Sequence, residues 1–164
     1  TFGADYRHGK LLIENSDGTT NDASRTTYGA DLTFNYNNLF FPGDNLFLQG
    51  EYLFANNEGK TVEGGGCGGD PVVSEATDQG GYFIMAAYMT PWNLQPVIKY
   101  ETYDPDVDAA ATASKYSQDI ITFGLNYFFN EKTRVQLNYL YKAEETGDIE
   151  YPNDEIVLQF QVAF

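Results

Sequence analysis

An all-β chain, a transmembrane antiparallel β-barrel, is the fold class the sequence predicts, and three observations point to it. Apolar and polar residues alternate with period two in about eight segments of roughly ten residues, the pattern of strands lying between an apolar and a wet phase. Aromatic residues reach 16% of the 164, with 13 Tyr and 12 Phe, although the mean hydropathy is only -0.41. Many aromatics in a chain of low hydropathy suit a barrel with a polar inside and aromatic girdles outside. The connections between segments also alternate long and short.

Taken in order, Phe2, Ala4 and Tyr6 oppose Asp5 and Arg7 in the weakest candidate, whose pattern blurs from His8 to Ile13. The polar run ENSDGTTNDASR follows as a loop of turn formers. From Thr27 to Tyr36 the alternation is clean, with Tyr28, Ala30, Leu32, Phe34 and Tyr36 outward and Asp31 inward. Pro42 and Gly43 mark a short turn. NLFLQGEYLF then places Leu46, Leu48, Tyr52 and Phe54 outward, with Gln49 and Glu51 inward.

Residues 57–81 are read as one long Gly-rich extracellular loop without strand or helix period. Its glycines form no phosphate-binding loop, because no GK[ST] follows and no helix opens. Cys67 lies within it as a lone loop thiol, without disulfide or metal-type partner. In YFIMAAYMT both faces are apolar, so Phe83 and Met85 need cover on the inner side. After the turn PWN, LQPVIKYETY directs Lys99 and Glu101 inward, and Pro96 sits near the strand start, where a missing donor is tolerated. DPDVDAAATASK is a second long loop. QDIITFGLNYFF and TRVQLNYLYK, joined by NEK, form a hairpin with Arg134 and Lys142 inward. Beyond the acidic loop AEETGDIEYPN, the last segment sets Ile156, Leu158, Phe160, Val162 and Phe164 outward against Glu155, Gln159 and Gln161. A closing strand with apolar residues at every second position back from Phe164 resembles the assembly signal of bacterial outer-membrane barrels, read by the barrel-assembly machinery. Leu158, Phe160 and Val162 belong to that signal.

Composition removes several function classes. A net charge of -15, from nine Lys and Arg against 24 Asp and Glu, leaves no basic footprint for nucleic acid. The longest apolar run is far short of the roughly 20 residues of a membrane-spanning helix. His8 is the one histidine and stands beside no nucleophile motif, so the chain is read as no enzyme, with no catalytic, metal or cofactor residues. TFGADYRHGK lacks the charged start and apolar core of a secretory leader, so the sequence is expected to be a mature chain or a fragment.

From Gly80 onward, GGYFIMAAYMTPW, LQPVIKYETYD, ITFGLNYFFNEKTRVQLNYLY and EIVLQFQVAF together resemble the C-terminal part of the phosphate-selective porin O and P family. The resemblance implies a sixteen-stranded homotrimeric channel in the outer membrane of Gram-negative bacteria, in contact with lipid and lipopolysaccharide, with this chain as its second half. It also implies passive diffusion of small hydrophilic solutes or ions, anions such as phosphate among them, past Arg and Lys rows in the lumen. The inward charges available here are Arg7, Lys99, Arg134 and Lys142, accompanied by Glu51, Glu101 and Glu155, which is less basic than that family's passage. The alternative expectation is a small closed eight-stranded barrel with a structural or adhesive role, whose lumen side chains would fill.

Overall fold

The structure, a computed structural model, describes residues 1–14, 20–57, 61–62, 72–73, 77–107, 117–144 and 153–163. It is all-β. Eight antiparallel strands form one sheet in the order β1 (Phe2–Glu14), β2 (Thr20–Asn37), β3 (Asn45–Asn57), β6 (Thr77–Met89), β7 (Leu94–Asp104), β8 (Gln118–Asn130), β9 (Thr133–Glu144) and β10 (Glu155–Val162). A two-residue ribbon, β4 (Thr61–Val62) with β5 (Val72–Val73), forms the second sheet. Every strand of the large sheet pairs with its neighbour in sequence around that ribbon, and β1 and β10 are its two edges. The sheet is therefore open, and among the described residues it does not close on itself as an eight-stranded barrel.

Two expectations need correction. Most of the polar run 14–25 is strand, because β1 and β2 continue their ladder to Glu14↔Thr20. Backbone pairing carries a hairpin onward after the apolar alternation has ended, so hydropathy marks its end too early. The segment 57–81 is likewise shorter as a connection. Residues 77–81 open β6, paired with β3 through Gly80↔Phe54 and Gly81↔Leu53, and the β4–β5 ribbon lies inside the remainder. Cys67 and Phe164 lie outside the described residues.

The register places the expected faces on opposite sides. Tyr28, Phe54 and Gly80 share a row, as do Leu32, Gly50, Ile84 and Tyr100, while Asp31, Glu51, Phe83 and Glu101 run across the other side. One irregularity interrupts the ladders, a bulge between Phe128 and Asn130 in β8. Burial is very uneven for an all-β chain. Among the described residues the buried apolar side chains are Ala55 and Ala87, whereas Ile84, Phe123, Leu137, Ile156, Leu158 and Phe160 stand exposed on one face. The polar face is the more covered of the two, with half-buried side chains dominating β7 and β8 on that side.

Aromatic contacts mark both ends of the apolar face. Near the short turns, Phe41 meets Trp92 at 5.8 Å, Phe40 meets Tyr88 edge-on at 5.8 Å, and Phe129 lies between Tyr127 at 5.0 Å and Phe160 at 6.4 Å. Toward the other end Tyr28 stacks on Phe54 at 4.9 Å and Tyr82 meets Tyr100 at 5.9 Å. The nine residues from Tyr28 to Tyr36 span roughly 27 Å of strand, about the height of a hydrocarbon layer when the strand tilts.

The β2–β3 turn is built around Asp44, which is only 2% exposed. Its carboxylate accepts hydrogen bonds from the N–H groups of Leu39 (2.7 Å), Phe40 (2.9 Å) and Phe41 (2.8 Å) and from the Tyr88 hydroxyl (2.5 Å). Asn38 and Gly43 take positive φ, +58° and +88°, and the Asn38 side chain accepts from Gly43 N–H at 2.8 Å. A neutral side chain could not satisfy four donors at once. Burial alone would raise the Asp44 carboxyl, but the bonds from Tyr88, Phe40, Phe41 and Leu39 outweigh it and hold it at about 2, below the ordinary 3.8.

A carboxyl held below its unfolded value contributes stability that is complete above that value and is lost as pH falls toward 2. Asp44→Asn should therefore lower the urea midpoint at neutral pH, followed through Trp92, the single tryptophan. The gap from wild type should close between about pH 4 and pH 2. A gap that stays constant over that range would remove Asp44 as the linked group.

Candidate functional site

Charged side chains from successive strands line the polar face, and its register defines the candidate site. Toward the short turns it is a ladder of amides: Gln95, Asn126, Gln136 and Gln159 stand directly opposite one another across β7 to β10. Asn126 donates to Gln95 at 2.9 Å and is buried, while its Oδ1 has no hydrogen-bond partner. Gly124 leaves the space that the Asn138 amide fills, since a Cβ there would lie 2.8 Å from Asn138 Oδ1.

The charged residues singled out from the sequence all fall on this face, but they do not form rows of one sign. Lys99 pairs with Glu101, two positions along the same strand, and its ammonium also lies 4.9 Å from the centre of the Phe83 ring. Lys142 reaches Glu155 across the β9–β10 ladder at 2.6 Å. Arg7 meets Asp5 at 3.3 Å on the exposed edge strand. Arg134 donates to the neutral Gln161 at 2.9 Å, and among the described residues it forms no ion pair. Lys142 lies eight positions along β9 from Arg134, roughly 27 Å away, so the cations are dispersed. Local pairs fix their side chains, and a pair two positions apart on one strand face needs no contribution from the neighbouring strand.

Two carboxylates break this pattern. Asp31 and Glu51 are direct cross-strand partners on β2 and β3. Neither makes an ion pair among the described residues, and the Asp31 carboxylate lies over Gly3, whose missing Cβ leaves it room. Like charges directly opposite destabilise a sheet, and the Asp31 side chain leans away from Glu51, toward β1.

Several residues of the face were not legible as site residues in the sequence. Arg25 lies in the part of β2 that reads as loop, and it points with Thr27 to the polar side, opposite Asn57. Gly81 and Tyr103 stand opposite each other on β6 and β7, with Leu53 on the other flank of Gly81. Together with Glu51, Phe83 and Glu101 they border a hollow of about 460 Å³ on the polar face. The fact that Gly80 and Gly81 follow a long Gly-rich stretch hides them; the apolar alternation of the next residues, carried back two positions, would have found them. A larger hollow of about 970 Å³ lies against the apolar face, where Ala30, Gly50 and Ala86 leave a dent between Leu32, Leu48 and Ile84.

Leu158, Phe160 and Val162 project from β10 on the apolar side, 72%, 65% and 41% exposed. Among the described residues no group of His, Cys, Asp and Glu has metal-binding geometry. No protein-family model, curated protein or solved structure matches the chain.

Removing one charge of the Asp31–Glu51 pair should relieve repulsion. Asp31→Asn is expected to stabilise the folded chain by roughly 0.2–1 kcal/mol at low ionic strength. In about 1 M salt the gain should vanish, because screening then acts over about 3 Å. Denaturation curves at the two salt concentrations check this, and a salt-independent difference would mean that the two carboxylates do not face each other.

Proposed function

We propose that the chain forms part of the wall of an outer-membrane β-barrel that encloses a water-filled channel for passive diffusion of small hydrophilic solutes or ions. The single observation that carries this reading is the pairing of an exposed apolar face, banded by aromatics, with a polar charged face across one continuous sheet. In water such a face would be an aggregation liability far beyond the apolar patches that soluble monomers tolerate. Against lipid it is the expected exterior.

The free edges of β1 and β10 support the same reading. In lipid every backbone N–H and C=O must be satisfied, so a spanning sheet closes through its edges. Among the described residues eight strands pair in one sheet whose edges β1 and β10 do not meet, which favours closure against further strands and a lumen wide enough for water. Residues 38–44, 90–93 and 131–132 join strands at one end of the sheet, and residues 15–19, 58–76, 105–117 and 145–154 join them at the other, where all but 15–19 are longer. Short turns on one side and longer loops on the other are the arrangement of outer-membrane barrels.

Selectivity then follows from charges on the wet wall, where low-dielectric walls focus the field. Lys99→Gln, Arg134→Gln and Lys142→Gln together remove three positive charges and release Glu101 and Glu155 from their pairs. Reversal potentials in planar bilayers under a salt gradient should shift toward cations, and the shift should shrink as salt rises. Absence of any conductance from chain reconstituted in closed, heat-modifiable form would refute the channel; unaltered selectivity would remove these three residues from it.

A further inference from the structure

We infer that the hollow of about 460 Å³ on the polar face is a binding site for a short zwitterionic peptide, its carboxylate on Arg25 and its ammonium on Glu51. The inference rests on reading this face as a wet channel wall, and it adds to that reading the class of solute the wall holds. Register sets the charges of the hollow at its two ends. Arg25 lines it in the row nearest the long loops, and Glu51 lines it three rows further along, beside Phe83. The two rows between them, which include Gln79 and Tyr103, contribute no charged side chain to its lining.

Neither end charge has a partner of its own. Arg25 and Glu51 make no ion pair among the described residues, whereas Glu101, which also borders the hollow, is held by Lys99. The Asp31 carboxylate leans over Gly3 on β1 and does not line the hollow. Arg25 stands opposite Asn57, six positions along β3 from Glu51, which is roughly 20 Å of strand. Both side chains reach into the hollow, so their heads stand closer than their backbones, and about three extended residues, roughly 10 Å, fill the interval. Leu53 leans over Gly29 and the Tyr103 ring over Gly81, so the floor between the charges is a leucine side chain and an aromatic ring, without a deep slot. Gln79 and Gln118 border that floor with amides that can donate to a peptide C=O and accept from a peptide N–H. The volume falls in the range of small-molecule sites.

Opposite charges at the two ends decide the class of solute. A simple cation would leave Arg25 unmatched and be repelled by it. A simple anion would leave Glu51 unmatched, on a chain whose net charge is -15. A neutral solute would gain neither charge-assisted contact. A single amino acid carries its two charges too close together to reach both ends, so a peptide of about three residues is the shortest that spans them.

Equilibrium dialysis of the full chain folded in non-ionic detergent, with uptake by micelles alone subtracted, tests this with trialanine, its N-acetyl form and its C-terminal amide. Wild type should take up trialanine saturably and about tenfold more tightly than either blocked form, each of which lacks one charge-assisted contact. Arg25→Gln should abolish the preference over the amide and keep the preference over the acetyl form. Glu51→Gln should do the opposite, a crossed pattern that a general loss of structure does not produce. Equal uptake of the three peptides by wild type, or a uniform loss in variants that fold like wild type, would overturn the site. Conductance is read separately: a chain that prefers trialanine and does not conduct refutes the channel and keeps the site, whereas a conducting chain without that preference does the reverse.

Discussion

Register is the constraint on which everything else in this molecule depends. Side chains alternate strictly along a strand, so a slip of one residue in any ladder would exchange the two faces from that strand onward. Tyr28, Tyr52, Tyr82, Ile98, Phe123, Leu137 and Leu158 share the apolar side only because each ladder holds its pairing. The turns act as the pins. Asp44 gathers three backbone N–H groups and reaches the Tyr88 hydroxyl on β6, tying the β2–β3 turn to the next strand but one. The β6–β7 turn is closed by Thr90 and Leu94 and receives the Phe128 N–H at Asn93. Among the described residues there is almost no apolar core behind these ladders, so backbone hydrogen bonds and turn geometry carry the order that a core would otherwise provide.

The same constraint shapes the polar face. Because neighbours are fixed, the face can hold local ion pairs such as Lys142–Glu155 and a row of amides through Gln95, Asn126, Gln136 and Gln159, in which Asn126 donates to Gln95. Where the register sets two carboxylates opposite each other, at Asp31 and Glu51, no such satisfaction exists, and beside them Gly81 removes a side chain from the middle of three strands. Gly81 is itself set by packing, since a Cβ there would lie 2.9 Å from the Thr102 carbonyl oxygen.

Much of this was legible from alternation. The strands from Thr27 to Phe54 and from Tyr82 to Tyr141 were placed, faces included, because most of their positions contrast with their neighbours in hydropathy; in residues 82–89, apolar on both sides, that contrast is missing. Legibility ended where that contrast ended. The β1–β2 hairpin continues through Ser24 and Asp22 by backbone pairing, which hid Arg25 inside an apparent loop. The site was less legible than the fold for a related reason. Lys99 and Glu101 could be assigned a face from the sequence, but which strand's residues stand opposite them follows from ladder offsets that no periodicity contains. The Asp31–Glu51 opposition, the Leu53–Gly81–Tyr103 row and the bond from Tyr88 to Asp44 all join segments whose relative offset the sequence leaves open.

The central claim is that one face of the sheet meets lipid and the other meets water. Single cysteines placed along β8 from Ile120 to Leu125, in a chain with Cys67→Ser and folded into lipid bilayers, test it most directly through their rates of labelling by a charged, membrane-impermeant thiol reagent. The account predicts period-two reactivity, with positions 120, 122 and 124 labelled and positions 121, 123 and 125 protected. Uniform labelling, or protection of 120, 122 and 124 instead, would contradict it.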